Sequence, residues 1–327
     1  MTVIAFDPGY GNIKLYGPAG GLVLPAAVAA VAGQGNLASM AGLKSAHRPM
    51  VVATDQGRFV VGQGAHDWGR PVEALDFDRL AGAPEIRALF YGALAQAERE
   101  TGQQGISNPM VMVGLPIASL MGDQANGVKR GVSSWLKGQH TWQTEYKRKT
   151  QAHSLTVAGV GVTSQPVGAL FDWLLDDRGQ WVPGRRDLFK REIGVLGIGF
   201  NTVDLLVVRG GRPIQRFVAG QNVGVRRLLS LCVNGHYSLA EADQLLRSGA
   251  LDTRQGKAVW LREVMATIET TWGDQWRRFE LVISCGGGAR LLERELVSRF
   301  GAQVWLSDDP VISTARGLYK FGLQKGL

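Results

Sequence analysis

The sequence predicts an α/β protein made of two halves, each of which opens with a strand, a glycine-rich turn and a second strand. Strand-like and helix-like apolar patterns alternate along the chain, and 44 of its 327 residues are glycine. The apolar content of 45% and the charged content of 20% are those of an ordinary globular protein. This length suffices for two domains with a large buried core.

The first half begins with a predicted β-hairpin, in which residues 3–6 and 13–16 form the strands. A second hairpin is predicted from residues 50–53 and 58–61. Apolar residues then recur at helical spacing over residues 83–100, and residues 110–113 read as a buried strand. The polar stretch 121–152 predicts a helix plus a hairpin, which we expect to form a peripheral subdomain.

The second half repeats this plan at the level of topology, without a convincing residue-by-residue repeat. A helix over 167–175 precedes two strands, 193–196 and 203–208. Helices are predicted over 223–233, 239–246 and 259–271, followed by an apolar strand over 281–285. A last helix over 313–321 is expected to return to the first half. The predicted domains are therefore 1–165 plus 313–327, and 166–312.

The turn of the first hairpin has the composition of a phosphate-binding loop. Glycines let backbone N–H groups turn inward toward phosphate oxygens. Asp7, at the end of the first strand, can hold Mg²⁺ through water molecules, and Lys14 can reach the β- and γ-phosphates. A plain hairpin with a turn-forming Asp and a solvent-facing Lys is the alternative. The predicted cofactor-binding residues here are Asp7, Gly9, Tyr10, Gly11, Asn12 and Lys14.

Two further glycine loops follow strands in the second half. The first offers backbone N–H groups together with polar side chains, and its predicted binding residues are Gly199, Phe200, Asn201 and Thr202. The second lets a base or ribose lie against bare backbone, and its predicted residues are Gly286, Gly287, Gly288 and Arg290. Tight turns explain each loop alone, but three such loops in this order favour a nucleotide site.

Other features limit the alternatives. The sequence contains no Walker A loop, no dinucleotide-binding fingerprint and no G-x-S-x-G elbow. No apolar run has the length of a membrane span, the chain begins like a strand, and its two cysteines suggest buried free thiols. We therefore expect a cytoplasmic protein. The net charge of +8 includes short basic clusters, which suit DNA or an anionic membrane but equally suit solvated faces.

The order of these motifs resembles the actin-like ATPase superfamily, nearest to the plasmid-partition (ParM-like) type and related bacterial and archaeal actins. The stretch from Asp7 to Lys14 resembles the first phosphate loop, and Gly197 to Asp204 resembles the second. Ser284 to Ala289 resembles the adenosine motif. Residues 114–116 resemble a strand end of the first domain, and residues 165–169 and 315–320 resemble the two connecting helices.

The resemblance implies a duplicated ribonuclease H-like fold with a nucleotide cleft between two domains. It implies ATP or GTP with Mg²⁺ as cofactors, Asp7 as the metal-binding residue, and Asp7 and Gln165 as catalytic residues, with Gln165 orienting the attacking water. One position departs from the family: Gly197 stands where an Asp normally helps to hold the metal and the water. We expect slow hydrolysis for this reason. Asp204 is expected to be structural, at the far side of the hairpin.

The leading hypothesis is a cytoskeletal ATPase that forms filaments with copies of itself, for plasmid or DNA segregation or for cell organisation. A DNA-bound adaptor protein is a further expected partner. Two alternatives remain: an adaptor that binds nucleotide without hydrolysing it and contacts DNA or membrane, and a small-metabolite kinase of the same superfold. Fold resemblance alone does not decide among these functions.

Overall fold

The computed structural model of the chain describes residues 2–31, 49–73, 76–102, 106–233 and 235–327. The strands, numbered along the chain, are β1 (Val3–Pro8), β2 (Asn12–Gly17), β3 (Gly20–Pro25), β4 (Val28–Ala30), β5 (Met50–Thr54), β6 (Gly57–Val61), β7 (Met110–Leu115), β8 (Gly138–Tyr146), β9 (Lys149–Val157), β10 (Gly159–Ser164), β11 (Glu192–Ile198), β12 (Val203–Arg209), β13 (Arg212–Pro213), β14 (Ala219–Gln221), β15 (Leu281–Cys285) and β16 (Val304–Leu306). The helices are α1 (Pro84–Thr101), α2 (Ala125–Leu136), α3 (Gln165–Leu174), α4 (Arg185–Leu188), α5 (Val225–Cys232), α6 (Leu239–Arg247), α7 (Arg254–Trp272), α8 (Gly287–Leu291), α9 (Glu293–Phe300) and α10 (Ser313–Gln324).

The first sheet has the strand order β10-β7-β1-β2-β3. The hairpin predicted over residues 3–16 is confirmed: β1 and β2 pair antiparallel, and β1 pairs parallel with β7. Strand β10 was not predicted, because its glycines weaken the strand pattern. A Cβ atom at Gly159 or Gly161 would lie within 2.8 Å of a methionine side chain of β7. Glycine therefore lets these two parallel strands and their side chains pack closely.

The second sheet repeats the plan of the first, with the order β13-β12-β11-β15-β16 and with β14 paired to β12. Strands β11 and β12 form an antiparallel hairpin, and β11 pairs parallel with β15. One face of the sheet is covered mainly by α5, α7 and α9. Helix α7 starts five residues before the predicted residue 259, and its buried residues recur every four positions: Trp260, Val264, Ile268 and Trp272. This spacing turns one face of the helix to the core.

The third sheet has the order β4-β6-β5-β8-β9. The helix and hairpin predicted within residues 121–152 are confirmed as α2 followed by β8 and β9. They do not form a separate unit, because β8 pairs with β5 of the other predicted hairpin. The expected peripheral subdomain is therefore one sheet to which β4, β5 and β6 contribute as well as β8 and β9.

Helices α3 and α10 cross where each carries a glycine. A Cβ atom at Gly317 would lie 1.8 Å from the carbonyl oxygen of Gly168, so only glycine permits this approach. Next to the crossing, the buried carboxylate of Asp172 accepts hydrogen bonds from the Arg316 Nε and Nη2 atoms at 2.7 and 2.8 Å. Lys320 adds an ion pair to the same carboxylate at 3.1 Å. The two helices are thus held together by backbone contact and by buried charge.

The two helices also connect the sheets. Helix α3 packs in a core with residues of β11, β12 and β15, and α10 packs with residues of β1 and β7. The predicted return of residues 313–321 to the first half is therefore confirmed, in a helix that continues to Gln324. Among the described helices, none combines the length and apolar character needed to cross a membrane.

Candidate functional site

The first hairpin brings together three residues that the sequence predicted to act together. Asp7 and Lys14 are direct partners across β1 and β2, so both side chains stand on the same face of the sheet. Lys14 Nζ lies 2.8 Å from Asp7 Oδ2, and Gln165 Nε2 donates a hydrogen bond to Asp7 Oδ1 at 2.6 Å. Asp7 is 1% exposed. A buried carboxylate is thus held by a cation and by an amide at the first turn of α3.

The tip of this hairpin is closed tightly on itself. A Cβ atom at Gly9 would lie 2.6 Å from the carbonyl oxygen of Asn12, so this turn requires glycine. The Tyr10 hydroxyl donates to the Asp76 carbonyl oxygen at 3.1 Å, and Arg79 lies 5.0 Å from the centre of the Tyr10 ring. Burial raises the pKa of Tyr10 well above its usual value. The Tyr10 side chain therefore anchors the tip to the residue 76–79 loop of its own half.

The second hairpin has the same register as the first. Asp7 pairs with Lys14 in the first hairpin, and Gly197 pairs with Asp204 in the second, so each pair encloses six residues. The second residue after the leading strand is aromatic in both hairpins: Tyr10 after β1, which ends at Pro8, and Phe200 after β11, which ends at Ile198. The duplication that the sequence indicated only as topology is therefore a match of register and of turn length.

The two tips touch each other. A Cβ atom at Gly11 would lie 2.7 to 2.9 Å from three atoms of the Phe200 side chain, so the Phe200 ring rests directly on the Gly11 backbone. Asn12 and Asn201, one on each tip, have side-chain oxygens that are buried and lack a hydrogen-bond partner among the described residues. Such orphaned polar atoms are uncommon in folded proteins and are sites that a polar ligand can satisfy.

Asp204 lies directly across from Gly197 in the second hairpin. Its Oδ1 atom accepts the Ile117 N–H at 3.1 Å, and its Oδ2 atom accepts the Thr202 hydroxyl at 2.8 Å. Burial raises the pKa of Asp204 to about 6, and the charge of Asp7 contributes in the same direction. A Cβ atom at Gly197 would lie 3.7 Å from Asp204 Cβ, which is an ordinary contact. A Cβ atom at position 197 would therefore fit next to Asp204 without a clash.

The third glycine loop packs beneath the second hairpin. A Cβ atom at Gly286 would lie 2.3 Å from the Ile198 carbonyl oxygen, and one at Gly288 would lie 2.2 Å from Ile198 Cγ2. Packing against Ile198 thus explains two of the three glycines. Gly287 has open space around it, and Arg290 is exposed. Contact between this loop and a base or ribose stays a prediction.

A cavity of about 290 Å³ lies beside the two tips. Its wall includes the predicted residues Tyr10, Gly11 and Phe200, and it also includes residues of α6 that the sequence did not single out. Arg247 and Asp243 form an ion pair at 2.6 Å on this helix, and burial raises the pKa of Asp243. The only sequence signal was a pair of opposite charges four residues apart, which is common on exposed helices.

The fold and the two facing hairpins define a class of protein: a duplicated α/β fold whose halves each present a glycine-containing turn to one shared cleft. Known structures share this fold. The apo psk41 ParM protein is 18% identical, with a TM-score of 0.70 over 99% of this chain and 98% of that chain. Ta0583, an archaeal actin homolog in complex with ADP, is 17% identical, with a TM-score of 0.68 over 99% and 98% of the chains.

A 15-stranded ParM filament from Clostridium botulinum is also similar, at 16% identity and a TM-score of 0.73 over 99% of both chains. A search of the curated proteins finds no match. The sequence profile of the family described as actin like proteins N terminal domain matches residues 5–168, which is just over half of the 327 residues. The chain belongs to the family of actin-like proteins, and it has their two-domain fold.

Proposed function

We propose that this chain binds ATP or GTP with Mg²⁺ between the two hairpins and assembles into filaments, with slow nucleotide hydrolysis. The observation that carries the proposal is the pair of hairpins in equal register, with touching tips and with Asp7, Lys14 and Gln165 in direct contact. The names of similar structures add support, since one is an ADP complex and one is a filament. We also propose the domains 1–165 plus 313–327, and 166–312.

The phosphate chain would lie between the tips. Glycine backbones there can turn N–H groups toward phosphate oxygens, and the orphaned oxygens of Asn12 and Asn201 can accept hydrogen bonds from a hydrated metal or from bound water. Lys14 would exchange part of its contact with Asp7 for a phosphate oxygen. Such exchange costs little, because a flexible lysine acts as a point charge and needs no fixed fork geometry.

The residues present fit a magnesium ion. Mg²⁺ prefers oxygen ligands and commonly keeps several water molecules, and the structure buries one carboxylate on each hairpin, Asp7 and Asp204. Asp7 would hold the hydrated ion, and Asp204 would supply the second-half charge that Gly197 lacks. When bound, the ion would neutralise charge that develops on the phosphate oxygens.

Hydrolysis would be slow, because Gly197 offers no side chain to the water or the metal. Gln165 would orient the water, since its amide is already fixed next to Asp7. Asp204 is engaged by Ile117 and Thr202 and is a weaker substitute for a free carboxylate. Loss of one such electrostatic contact typically costs about 2–4 kcal/mol of barrier.

Direct binding of DNA or an anionic membrane receives less support from the described residues. Several arginines and lysines of the basic clusters form ion pairs within the chain, including Arg191 with Glu280, Arg227 with Glu263, and Arg278 with Glu192. Such pairs lower the charge that is free to meet phosphates. The loop residues 147–149 keep a basic composition. A gel-shift assay that shows salt-sensitive DNA binding would favour the adaptor hypothesis.

The test is calorimetry of the purified chain with Mg-ATP and Mg-GTP, followed by light scattering and negative-stain microscopy with each nucleotide. We expect binding that requires Mg²⁺, and polymers that form only with nucleotide. Lys14→Ala should weaken binding by about tenfold through lost phosphate attraction, which corresponds to about 1.4 kcal/mol. Absence of heat with any magnesium–purine nucleotide would refute the proposal, and phosphoryl transfer to a small metabolite would favour the kinase alternative.

A further inference from the structure

Helix α6 is tied to the other half of the molecule at both of its ends. At its start, Glu73 Oε1 accepts the backbone N–H groups of Leu239 and Ala240 at 2.7 and 3.4 Å. At its end, Arg247 Nη2 donates to the Gly11 carbonyl oxygen at 3.3 Å. Glu73 and Gly11 belong to the first half, and α6 belongs to the second. The helix of the second half is therefore fastened to the first half at both of its ends.

The start of α6 shows why an outside carboxylate is bound there. The first N–H groups of a helix have no partner within the helix, and the helix dipole makes this end positive. Ser238 caps only the Glu241 N–H group, through a capping box. Glu73 takes the N–H groups of the first two helical residues, so the cap is completed across the cleft.

The backbone of the first half holds Glu73 in place. Pro71 forms an antiparallel bridge with Ala29, and the Val72 N–H donates to the Val28 carbonyl oxygen at 2.8 Å. The bridge and the hydrogen bond both attach this segment to β4 of the third sheet. Glu73 follows directly and projects from a fixed segment rather than from a free loop. A movement of the third sheet away from α6 must therefore break the contact.

The other anchor reaches the tip of the first hairpin. Arg247 Nε also donates to Asp243 Oδ2 at 2.6 Å, so the guanidinium group bridges α6 and the Gly11 backbone. Glu73, Gly11, Asp243 and Arg247 all line the cavity beside the tips. Glu73 is exposed, and the Arg247 side chain is 39% exposed, so water competes for both contacts.

We propose that Glu73 and Arg247 form a two-point latch that holds the cavity closed by fastening α6 to the first half. Release of Glu73 breaks the contact at the start of the helix, and release of Arg247 breaks the contact between the helix and the hairpin tip. The two contacts act in the same direction, because each joins the same helix to the opposite side of the cleft. This proposal concerns the closure of the cleft and does not depend on nucleotide binding.

The test measures the distance across the cleft in the full chain without added nucleotide. Spin labels at the exposed positions Asp55→Cys and Arg262→Cys report this distance by pulsed electron resonance. The background carries Cys232→Ser; Cys285 stays unlabelled, because burial shields it and raises the pKa of its thiol to about 12. The variants are Glu73→Gln and Glu73→Lys. Glu145→Gln is the control, since Glu145 pairs with Arg58 within the third sheet.

We expect Glu73→Gln to raise the population of longer distances at least threefold over the parent. Glu73→Lys should raise it further, because it places a positive charge at the positive end of α6. High salt should shift the parent in the same direction, whereas Glu145→Gln should match the parent. Distance distributions of both Glu73 variants that superimpose on the parent would overturn the latch, whatever the outcome of the nucleotide assays.

Discussion

The two hairpins share a register and a turn length, yet they carry different chemistry. In the first, a carboxylate at the end of the leading strand faces a lysine, which neutralises it. In the second, the equivalent leading position is Gly197, and the carboxylate stands across from it as Asp204, at the position equivalent to Lys14. The same backbone thus provides a charge-balanced pair in one half and a single unbalanced carboxylate in the other.

This difference shows that the two halves of a duplicated fold can keep one backbone geometry while their side-chain charges differ. The backbone geometry of both tips follows from the shared hairpin register, and the first tip also requires glycine at its close contacts. The charges depend on single side chains, which can change without altering the turn. The ordinary contact that a Cβ atom would make at Gly197 supports this, since packing does not require glycine there. The two hairpins therefore differ in the charges of their side chains and not in their register or turn length.

The largest effect is expected from removing the charge of the first hairpin. Asp7→Asn keeps the side-chain shape but removes the negative charge that faces Lys14. We expect magnesium-dependent nucleotide affinity to fall at least a hundredfold, or about 2.8 kcal/mol, in calorimetry. Asp67→Asn, at an exposed carboxylate, is the matched control. Retention of affinity within threefold in Asp7→Asn would remove Asp7 from the metal site.

The second prediction concerns pH and the unbalanced carboxylate. Because the folded-state pKa of Asp204 is raised from 3.8 to about 6, the folded state holds a proton that the unfolded state releases between these values. Asp204 therefore lowers the free energy of unfolding as pH rises from about 4 to 7, by at most about 3 kcal/mol, and the penalty stays constant above about pH 7.

Urea unfolding of the parent and of Asp204→Asn at pH 4.5 and pH 7.5 measures this penalty. The parent should lose stability relative to Asp204→Asn by about 2 kcal/mol between the two pH values. Changes in the free energy of unfolding that other titrating groups cause cancel in this comparison, because both proteins contain the same groups. An equal difference between parent and variant at both pH values would show that Asp204 titrates normally.

The third prediction places a carboxylate at position 197, where the resemblance to actin-like ATPases implies an Asp. Gly197→Asp should speed nucleotide-dependent phosphate release about tenfold, or about 1.4 kcal/mol in the barrier, because it adds a charge where the metal and water are expected. Gly197→Asn is the control for size and polarity. If both variants release phosphate at the parent rate, the missing carboxylate does not limit turnover.

The last prediction concerns the contact between the tips, where the coupling between two substitutions is the smallest effect expected. Gly11→Ala inserts a methyl group into the Phe200 ring and should lower the free energy of unfolding by about 1–3 kcal/mol, as overpacking typically does. In a Phe200→Ala background the same change should cost about 1 kcal/mol less. Additive effects of the two substitutions in urea unfolding would mean that the tips do not touch in solution.

The sequence predicts the hairpins well, because glycine, Asp and alternating apolar residues act locally. The association of Asp7, Lys14 and Gln165 followed from resemblance, since residue 165 lies far along the chain. The contact of Phe200 with Gly11 and the position of α6 in the cavity wall could not be predicted, because an amphipathic helix does not reveal which element it meets. Strand β10 was missed for a local reason, its glycines.

The crossing of α3 and α10 has a mechanical consequence. Backbone touches backbone at Gly168 and Gly317, and Asp172 clasps Arg316 close by, so the two helices have no slack along their axes. Relative motion of the two helices that preserves these contacts is therefore rotation about the crossing, without sliding of one helix along the other. Because displacement in a rotation grows with distance from the axis, a small rotation at the crossing would move Glu73 and α6 relative to each other by more than it moves the residues at the crossing.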